Sequence, residues 1–404
     1  AVTTATLLML LGQGTVAMAA NEQSFQGEQI ISNQLIVQLK KDAPSAAEVF
    51  DTGSVLSYSQ IGLDGAGTYL VKVNPFDSLA TNLARIQAIK GVDFAEPNFE
   101  VELQDVSNDT SYLSGGMWGM YGSSASSSVS PTSSNGVDAA GAWAKGYTGS
   151  RAVYVAVIDS GINVSHSDLA ANIWTNAQEV AGDGIDNDNN GFVDDINGYD
   201  FLNNDGSVYD AGEHPHGTHV AGTIGAVGGN GIGVTGVAWQ VSLISAKIVN
   251  ANGQAAIADA IEAIDYITML RMKKGLDIIA SNNSWGGTAY SRSLENAIKR
   301  GGDVGIIFVA AAGNDGANLD STATYPAAYD CTTPHRPFDC VVSVAAIDQA
   351  GQLANYSNYS ATKVDLAAPG TNILSTSGNG YDTLSGTSMA TPHVTGAIAL
   401  CLGA

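Results

Sequence analysis

The sequence has few basic residues and no long charge-free hydrophobic segment. Lysine and arginine number 16 against 39 acidic residues, and the net charge is −23. Because nucleic-acid binding needs basic patches, we expect no nucleic-acid partner. No apolar stretch is long enough to cross a bilayer, so we expect no membrane partner. The excess of acid suits solubility outside the cell, calcium binding, or both.

The first twenty residues have the pattern of an export signal without its beginning. A short apolar run over residues 6–11 precedes Ala17-Met18-Ala19, which has the small-x-small form of a signal-peptidase site. Neither a starting methionine nor basic residues precede the run, so we expect residues 1–20 to be a partial signal peptide. The protein is therefore predicted to be secreted and extracellular.

Cysteine is scarce, with three in 404 residues. Cys331 and Cys340 bracket a segment rich in turn-forming residues, and in a secreted protein this arrangement predicts a local disulfide. Cys401 has no evident partner and lies in an apolar helical pattern, so we expect a buried, unreactive thiol.

Residues 28–105 are predicted to form a small α+β domain. Strand patterns cover residues 34–39, 68–73 and 92–103, and a helical pattern covers residues 78–89. We expect Pro97 to interrupt the last of these strands. The polar residues 106–135 are predicted to be a linker, or the N-terminal segment of the domain that follows.

Residues 136–404 alternate continuous apolar runs with amphipathic helical patterns. The runs cover residues 153–158, 241–249, 278–282, 304–311 and 341–346, and the helical patterns cover 137–145, 219–226, 255–272, 293–299 and 388–400. Apolar strands that alternate with helices predict an α/β fold with a parallel sheet covered on both faces. Active sites of such sheets lie beyond the carboxyl ends of the strands, where Asp159 and Asn314 stand.

Three motifs in this region carry nucleophile chemistry. Ser388 lies among small residues at the start of a predicted helix, whose free N–H groups favour a developing oxyanion. Asp159 ends a buried run, and His216 precedes a predicted apolar helix. Asp, His and Ser in this order is one known arrangement of a catalytic triad. The chain stops at Ala404, soon after Ser388, so we expect a C-terminally truncated domain.

These motifs resemble the signatures of the subtilisin-like serine proteases, the subtilase family (peptidase family S8). The matching blocks are Val157-Ile158-Asp159-Ser160-Gly161, His216-Gly217-Thr218-His219-Val220-Ala221-Gly222, Val309-Ala310-Ala311-Ala312-Gly313-Asn314-Asp315-Gly316 and Gly386-Thr387-Ser388-Met389-Ala390-Thr391-Pro392. The resemblance implies a doubly wound, mostly parallel sheet with helices on both faces for residues 136–404. Residues 28–105 resemble the inhibitory propeptide of the family, which implies a ferredoxin-like α+β domain.

The residue types suit acyl transfer. A serine hydroxyl is a weak nucleophile, so Ser388 needs a base; His216 can take its proton, and Asp159 can orient the imidazole. The resemblance implies that Asn314 and the Ser388 N–H bind the oxyanion. Taken alone, Asp159 could be a helix cap, and His216 with His219 could suggest a metal pair, although no third ligand is evident nearby. We expect His219 to pack or to hydrogen-bond locally.

The resemblance also implies a substrate cleft. Ser284-Trp285-Gly286 would pair through its backbone with an extended peptide, as an added strand does. Ala311-Ala312-Gly313 would form the other wall of the P1 pocket and leave space for a sizeable apolar side chain. Thr324 stands where many relatives carry glycine, which leaves the depth of the pocket open.

We expect structural calcium and no cofactor for catalysis. The stretch from Asp186 to Asp195 follows the spacing of a calcium loop without its final glutamate, and the alternative is a solvated acidic loop. The proposed ligands there are Asp186, Asp188, Asn190, Phe192, Asp194 and Asp195. By resemblance, Asp168, Asn230 and the carbonyls of Ile232 and Val234 form a second site, whose N-terminal ligand is not identified.

The sequence as a whole predicts a secreted serine endopeptidase that acts on polypeptides through an acyl-enzyme. We expect a monomer that carries its own propeptide as an intramolecular inhibitor. One alternative is a catalytically silent protein of the same fold that binds peptides or serves as a calcium-dependent scaffold. Another is an acid-acting relative with a glutamate-based catalytic pair, which the His216 motif and Asn314 speak against.

Overall fold

The computed structural model describes residues 24–25, 28–61, 67–99, 107–122, 133–210, 212–332 and 339–403. The chain separates into two compact units, residues 1–104 and 105–404. The predicted signal peptide, residues 1–20, lies outside the described residues. Within the described ranges, no helix is both long and apolar enough to span a membrane.

The first unit is an antiparallel sheet with helices packed on it. Its elements are β1 (Ser24–Phe25), β2 (Glu28–Leu39), α1 (Ala46–Val49), β3 (Val55–Gln60), β4 (Thr68–Val73), α2 (Leu79–Gln87) and β5 (Val92–Phe99). Strands β3, β4, β2 and β5 lie side by side in that order, and the succession β2-α1-β3-β4-α2-β5 is ferredoxin-like, as the resemblance implied. Leu35, Val37, Val71 and Ile86 form the fully buried centre of this unit.

The prediction for Pro97 is confirmed in part: β5 continues past Pro97, but its pairing with β2 shifts register directly after it. Pro97 pairs with Leu35 of β2, and β5 has no other neighbour in the described sheet. Proline lacks the backbone N–H that donates to a neighbouring strand. On an edge strand there is no second neighbour whose hydrogen bonds this loss could disrupt. The strand therefore continues from Val92 to Phe99, with an irregularity in its pairing between Pro97 and Phe99.

The second unit is built on a parallel sheet. Its helices are α3 (Thr110–Leu113), α4 (Ala139–Trp143), α5 (His216–Gly225), α6 (Ile257–Met269), α7 (Arg292–Asp303) and α8 (Thr387–Leu402). Its strands are β6 (Gly149–Asp159), β7 (Gly198–Asp200), β8 (Gln240–Lys247), β9 (Ile278–Asn283), β10 (Ile307–Ala311), β11 (Val341–Ile347), β12 (Leu366–Pro369), β13 (Ile373–Ser377) and β14 (Gly380–Leu384). The sheet order is β12-β11-β10-β9-β6-β8-β7 with every pairing parallel, and β13 pairs with β14 separately.

Different helices cover the two faces of this sheet, which confirms the predicted fold class. Alternate residues of β6 show the arrangement. Val155 and Val157 join the core that includes α5 and α8, whereas Ala156 and Ile158 join the core that includes α6 and α7. All four residues are fully buried because both faces are covered. The carboxyl ends of the strands, and the residues that follow them, therefore meet at one edge of the sheet.

Part of the predicted linker belongs to the core of the second unit. Tyr112, Trp118 and Tyr121 are fully buried, and the indole N–H of Trp118 donates to the carbonyl of Thr371 at 2.9 Å. Buried aromatic side chains contribute large apolar areas to a core, so this segment is not a free connection. Residues 107–122 form the start of the second unit, and residues 123–132 lie outside the described ranges.

The disulfide prediction is confirmed, and the prediction for the third cysteine is wrong. Cys331 and Cys340 form a disulfide with their Cα atoms 5.5 Å apart. Cys401 is exposed, as is its neighbour Leu402. The last turn of α8 extends past the core, so the apolar pattern there does not correspond to burial.

Candidate active site

Asp159 and His216 face each other at the carboxyl edge of the sheet. Asp159 ends β6, and His216 is the first residue of α5, which begins earlier than the sequence pattern indicated. Nδ1 of His216 lies 2.8 Å from Oδ1 of Asp159, and the same oxygen accepts the N–H of Ser160 at 2.7 Å. Burial alone would lower the pKa of His216, but the Asp159 carboxylate raises it above its ordinary value. The pair is thus an oriented base with increased proton affinity.

Ser388 lies in the first turn of α8, beside the same cleft. Its Oγ donates to the carbonyl of Ser284 at 3.2 Å, and the hydroxyl of Ser284 donates back to the carbonyl of Ser388 at 2.9 Å. Asp159, His216 and Ser284 all line one cavity of about 490 Å³. Two of the three predicted triad residues thus line this cavity, and Ser388 contacts its wall through Ser284. Among the described residues, no hydrogen bond joins Ser388 to His216.

Asn314 is fixed at the other side of Ser388. Its side-chain oxygen accepts the Thr387 N–H at 2.8 Å and the Thr387 hydroxyl at 3.0 Å. These two bonds orient the amide, so that Nδ2 is left as a donor. A Cβ built on Gly386 would lie 3.4 Å from this Nδ2, which places the donor at the N-terminus of α8.

A second asparagine, Asn358, holds the loop that carries Asn314. Asn358 is fully buried; its Nδ2 donates to the carbonyl of Ala312 at 2.9 Å, and its oxygen accepts the N–H of Asp315 at 3.0 Å. Gly313 has a φ of +106°, and a Cβ there would lie 2.3 Å from Nδ2 of Asn358, so only glycine fits. Sequence reasoning missed Asn358 because it lies in no recognised block and far along the chain.

The predicted walls of the substrate pocket flank Thr324. Ser284, Trp285 and Gly286 follow β9 and line the cavity, while Ala311 ends β10 with Ala312 and Gly313 directly after it. A Cβ on Gly286 would lie 3.3 Å from Cγ2 of Thr324, and one on Gly313 would lie 3.4 Å from it. The Thr324 methyl group therefore occupies the space between the two glycines.

Two further histidines near the site are structural. Nε2 of His219 is 3.0 Å from the carbonyl of Ile373, and Nδ1 of His393 is 2.9 Å from the carbonyl of Met389. Burial lowers the pKa of each imidazole to about 4. Both rings are therefore neutral near pH 7.

The acidic loop brings together a different set of residues from the one the spacing indicated. Glu179, Asp188 and Asp195 offer oxygens that all lie within 4.8 Å of one another. Among the described residues, one buried oxygen of Asp188 has no hydrogen-bond partner, and its other oxygen lies 2.8 Å from Nζ of Lys274. Burial raises the pKa of Asp195 to about 6. Although burial opposes it, hydrogen bonds from Asn176 and Lys274 hold the pKa of Asp188 below its ordinary value. Three carboxylates thus lie close together with one ammonium group, that of Lys274, beside them, an arrangement that suits a cation.

The other acids of the loop bind backbone amides. Asp186 accepts the N–H of Asn190 at 3.0 Å, and Asp194 accepts the N–H of Gly182 at 2.8 Å. The amide of Asn190 donates to Asp195 at 2.9 Å, and the ring of Phe192 packs against Tyr266. Glu179 was missed because it precedes the loop by seven residues and lies outside its spacing pattern.

The second predicted calcium set surrounds Asp168, which is satisfied by hydrogen bonds. Its donors are the Asn230 amide at 2.7 Å, the Val234 N–H at 2.9 Å and the Tyr381 hydroxyl at 3.1 Å. Ile232 lies in the same loop, where its N–H donates to the side-chain oxygen of Asn230 at 3.0 Å. Asp109, from the N-terminal segment, accepts the N–H of Asn230 at 3.0 Å and so faces the same loop.

Both units match known protein families. Residues 150–404 match the Subtilase family, and residues 17–98 match the Fervidolysin N-terminal prodomain. Since the first match covers more than half of the chain, the protein belongs to the subtilase family.

Individual relatives are similar over most of the chain. A thermophilic serine proteinase of Bacillus sp. (strain AK1) is 34% identical over 76% of this chain and 63% of its own length. Subtilisin DY of Bacillus licheniformis is 37% identical over 64% of this chain and 79% of its own length. Among solved structures, the crystal structure of a cold adapted subtilisin-like serine proteinase matches with 31% sequence identity and a TM-score of 0.47. The match covers 63% of this chain and 77% of the crystallised chain.

Proposed function

We propose that the protein is a secreted serine endopeptidase that hydrolyses polypeptides through an acyl-enzyme. The observation that carries the proposal is the 2.8 Å contact between His216 Nδ1 and Asp159 Oδ1 at the cavity beside Ser388. A carboxylate that accepts the Nδ1 proton leaves Nε2 free to act as a base. Membership of the subtilase family supports the same chemistry.

In the proposed reaction, Oγ of Ser388 attacks the scissile carbonyl carbon while its proton passes to Nε2 of His216. The negative charge that develops on the carbonyl oxygen is stabilised by the Ser388 N–H and by Nδ2 of Asn314, at the positive end of α8. His216 then gives its proton to the leaving amine, and Asp159 stabilises the imidazolium meanwhile. A water molecule repeats the attack with His216 as base, which releases the acid and restores Ser388.

The first unit is proposed to be an inhibitory propeptide that the second unit removes. Its match to a prodomain and its separate core support this role. From the sequence, we expect the cut between about residues 101 and 114. Tyr112 is fully buried in the second unit, and Asp109 binds its 229–231 loop, so we narrow the expected cut to residues 101–106.

Thr324 is proposed to limit the P1 side chain that the enzyme accepts. Because its methyl group lies between the two pocket glycines, we expect small or medium apolar P1 residues to be preferred over Phe. Thr324→Gly removes the side chain and should raise kcat/KM for P1 Phe relative to P1 Ala by about 10-fold or more. Peptide substrates that differ only at P1 measure this ratio.

Thr324→Ser is the matched control for the pocket. It deletes the methyl group but retains the hydroxyl, which accepts a hydrogen bond from Asn358 at 3.3 Å. We expect Thr324→Ser to give most of the gain seen with glycine. An unchanged Phe-to-Ala ratio in both variants would show that Thr324 does not bound the pocket.

Calcium is proposed to bind at the Glu179–Asp188–Asp195 cluster. The unpartnered buried oxygen of Asp188 fits a hard cation, which prefers carboxylate oxygens. Its role would be structural, because it would neutralise the buried carboxylates. For the Asp168 set, calcium stays a prediction from resemblance, since hydrogen bonds already satisfy that carboxylate.

Removing calcium is expected to lower Tm by roughly 5–10 °C, since a ligand at 100 Kd stabilises by about 2.7 kcal/mol. The measurement is calorimetry at one scan rate, with calcium or with a chelator, on a Ser388→Ala background that prevents autolysis. Asp188→Asn and Glu179→Gln should each remove much of the difference. Asp183→Asn, an exposed acid of the same loop, should retain it. A full calcium-dependent shift in both cluster variants would place the ion elsewhere.

A further inference from the structure

A buried lysine joins two carboxylates behind the candidate catalytic pair. Lys247 ends β8, and 2% of its side chain is exposed. Its Nζ lies 2.7 Å from Oδ2 of Asp200 and also pairs with Oε1 of Glu213. Burying an ammonium group is unfavourable unless it is paired, and such pairs are weak evidence for stability alone. We call Asp200, Lys247 and Glu213 the Lys247 cluster.

Strand register places this cluster directly beside Asp159. Lys247 is opposite Asp159 of β6 and opposite Asp200 of β7, in parallel register on both sides. Residues in register on neighbouring strands point to the same face of a sheet. The carbonyl of Asp159 also accepts the N–H of Ile248 at 2.8 Å. This backbone hydrogen bond fixes the end of β8 to Asp159.

The cluster also holds the start of the segment that delivers His216. Glu213 lies three residues before His216, and its second carboxylate oxygen, Oε2, has no hydrogen-bond partner among the described residues. Among the described residues, the Glu213 carboxylate is therefore hydrogen-bonded through its pair with Lys247 alone. Asp200 differs, because it also accepts the Leu202 N–H at 2.8 Å and the Asn203 amide at 2.8 Å.

Ser160 holds the other end of the same segment. Its hydroxyl donates to the carbonyl of His214 at 2.7 Å and accepts the N–H of Gly217 at 2.9 Å. Residues 213–217 thus have two attachments to this edge of the sheet. Lys247, at the end of β8, binds Glu213, and Ser160, directly after β6, binds His214 and Gly217. The 2.8 Å contact between His216 and Asp159 lies between these two attachments.

We propose that Lys247 is a positioning residue for hydrolysis, which holds Glu213 and thereby fixes the imidazole of His216 against Asp159. The proposal rests on the proposed function, because it assigns a purpose to the placement of His216. It predicts that loss of the Lys247–Glu213 pair changes the rate of the chemical step more than substrate binding. A small misplacement of a catalytic group can cost about 10²-fold in rate.

The test uses the mature enzyme and the variants Lys247→Met and Glu213→Leu. We expect kcat to fall by about 10- to 100-fold with KM nearly unchanged. The downfield proton resonance of the imidazole N–H bonded to a carboxylate should weaken or shift in both variants. Glu213→Gln keeps an oxygen that can accept a hydrogen bond from Lys247 and should restore most of kcat. Asp265→Asn, which breaks the surface pair with Arg300, is the control for loss of an ion pair elsewhere.

A double variant, Lys247→Met with Glu213→Leu, separates positioning from stability. Because this double variant leaves the buried Asp200 carboxylate without its ammonium partner, Asp200→Asn is added to it; no unpaired charge of the cluster then remains, and Tm should recover. Under the proposal kcat stays low in this triple variant although Tm recovers. If kcat and the proton resonance stay at the wild-type level in the single and triple variants, the proposal is overturned and the cluster is structural. A folded wild-type enzyme without activity would instead overturn the proposed function.

Discussion

Replacing Ser388 by alanine is expected to lower kcat for peptide hydrolysis by about 10⁶-fold, the size found when a triad loses its serine. The reason is that Ser388 supplies the hydroxyl that forms the acyl-enzyme in the proposed reaction, while the oxyanion donors and the cleft remain. The substitution removes one oxygen at the N-terminus of α8, so the fold should be retained. Purified protein is assayed with a peptide amide substrate, and circular dichroism checks that it is folded.

The same variant tests self-processing. If the second unit cuts off residues 28–105 itself, Ser388→Ala should accumulate as the uncut chain in a host that lacks other proteases. Ser293→Ala, which alters an exposed serine on α7, is the control and should mature normally. Equal processing of Ser388→Ala and wild type would show that another enzyme performs the cut. Near-normal hydrolysis by folded Ser388→Ala would refute the assigned nucleophile.

Replacing Asn314 by alanine should lower kcat by about 10²- to 10³-fold with little change in KM. Its Nδ2 is left free by the two bonds that Thr387 makes to its oxygen, so this donor is available for the oxyanion of the transition state. The ground-state carbonyl gains less from it, which is why KM should hardly change. Steady-state kinetics with a peptide substrate separate the two constants.

Asn314→Asp is the matched control for that prediction. It keeps an oxygen for Thr387 but replaces the Nδ2 donor with a second acceptor. If the amide acts as a donor, kcat should be as low in Asn314→Asp as in Asn314→Ala. Recovery of kcat in Asn314→Asp would mean that Asn314 only anchors Thr387, and a large rise in KM alone would make it a substrate-binding residue.

The sequence located the candidate triad because each member belongs to a local motif at the end of a regular element. Asp159 ends a continuous apolar strand, and His216 and Ser388 each stand in the first turn of a helix. A parallel sheet brings such ends to one edge, so the order of elements alone predicts that they meet. The small α+β fold of the first unit was likewise predictable from strand and helix periodicity.

The supporting contacts could not be predicted, because they join residues that no local motif links. Asn358 holds the loop of Asn314, and Glu179 joins Asp188 from outside the calcium-like spacing. The pairing of Lys247 with Glu213 depends on strand register, which no local pattern encodes. The buried Trp118 in a polar segment was the signal that could have corrected the linker assignment.

The central claim is tested most directly by labelling the folded, mature protein with a fluorophosphonate and mapping the adduct by mass spectrometry. The account predicts one phosphonyl group per molecule, on Ser388, with loss of hydrolysis in proportion to labelling. Heat-unfolded protein and Ser388→Ala should take no label there, because the reaction needs the base and the oxyanion donors in place. A folded protein that binds peptides but takes no label at Ser388 would contradict the account and indicate a catalytically silent peptide-binding scaffold.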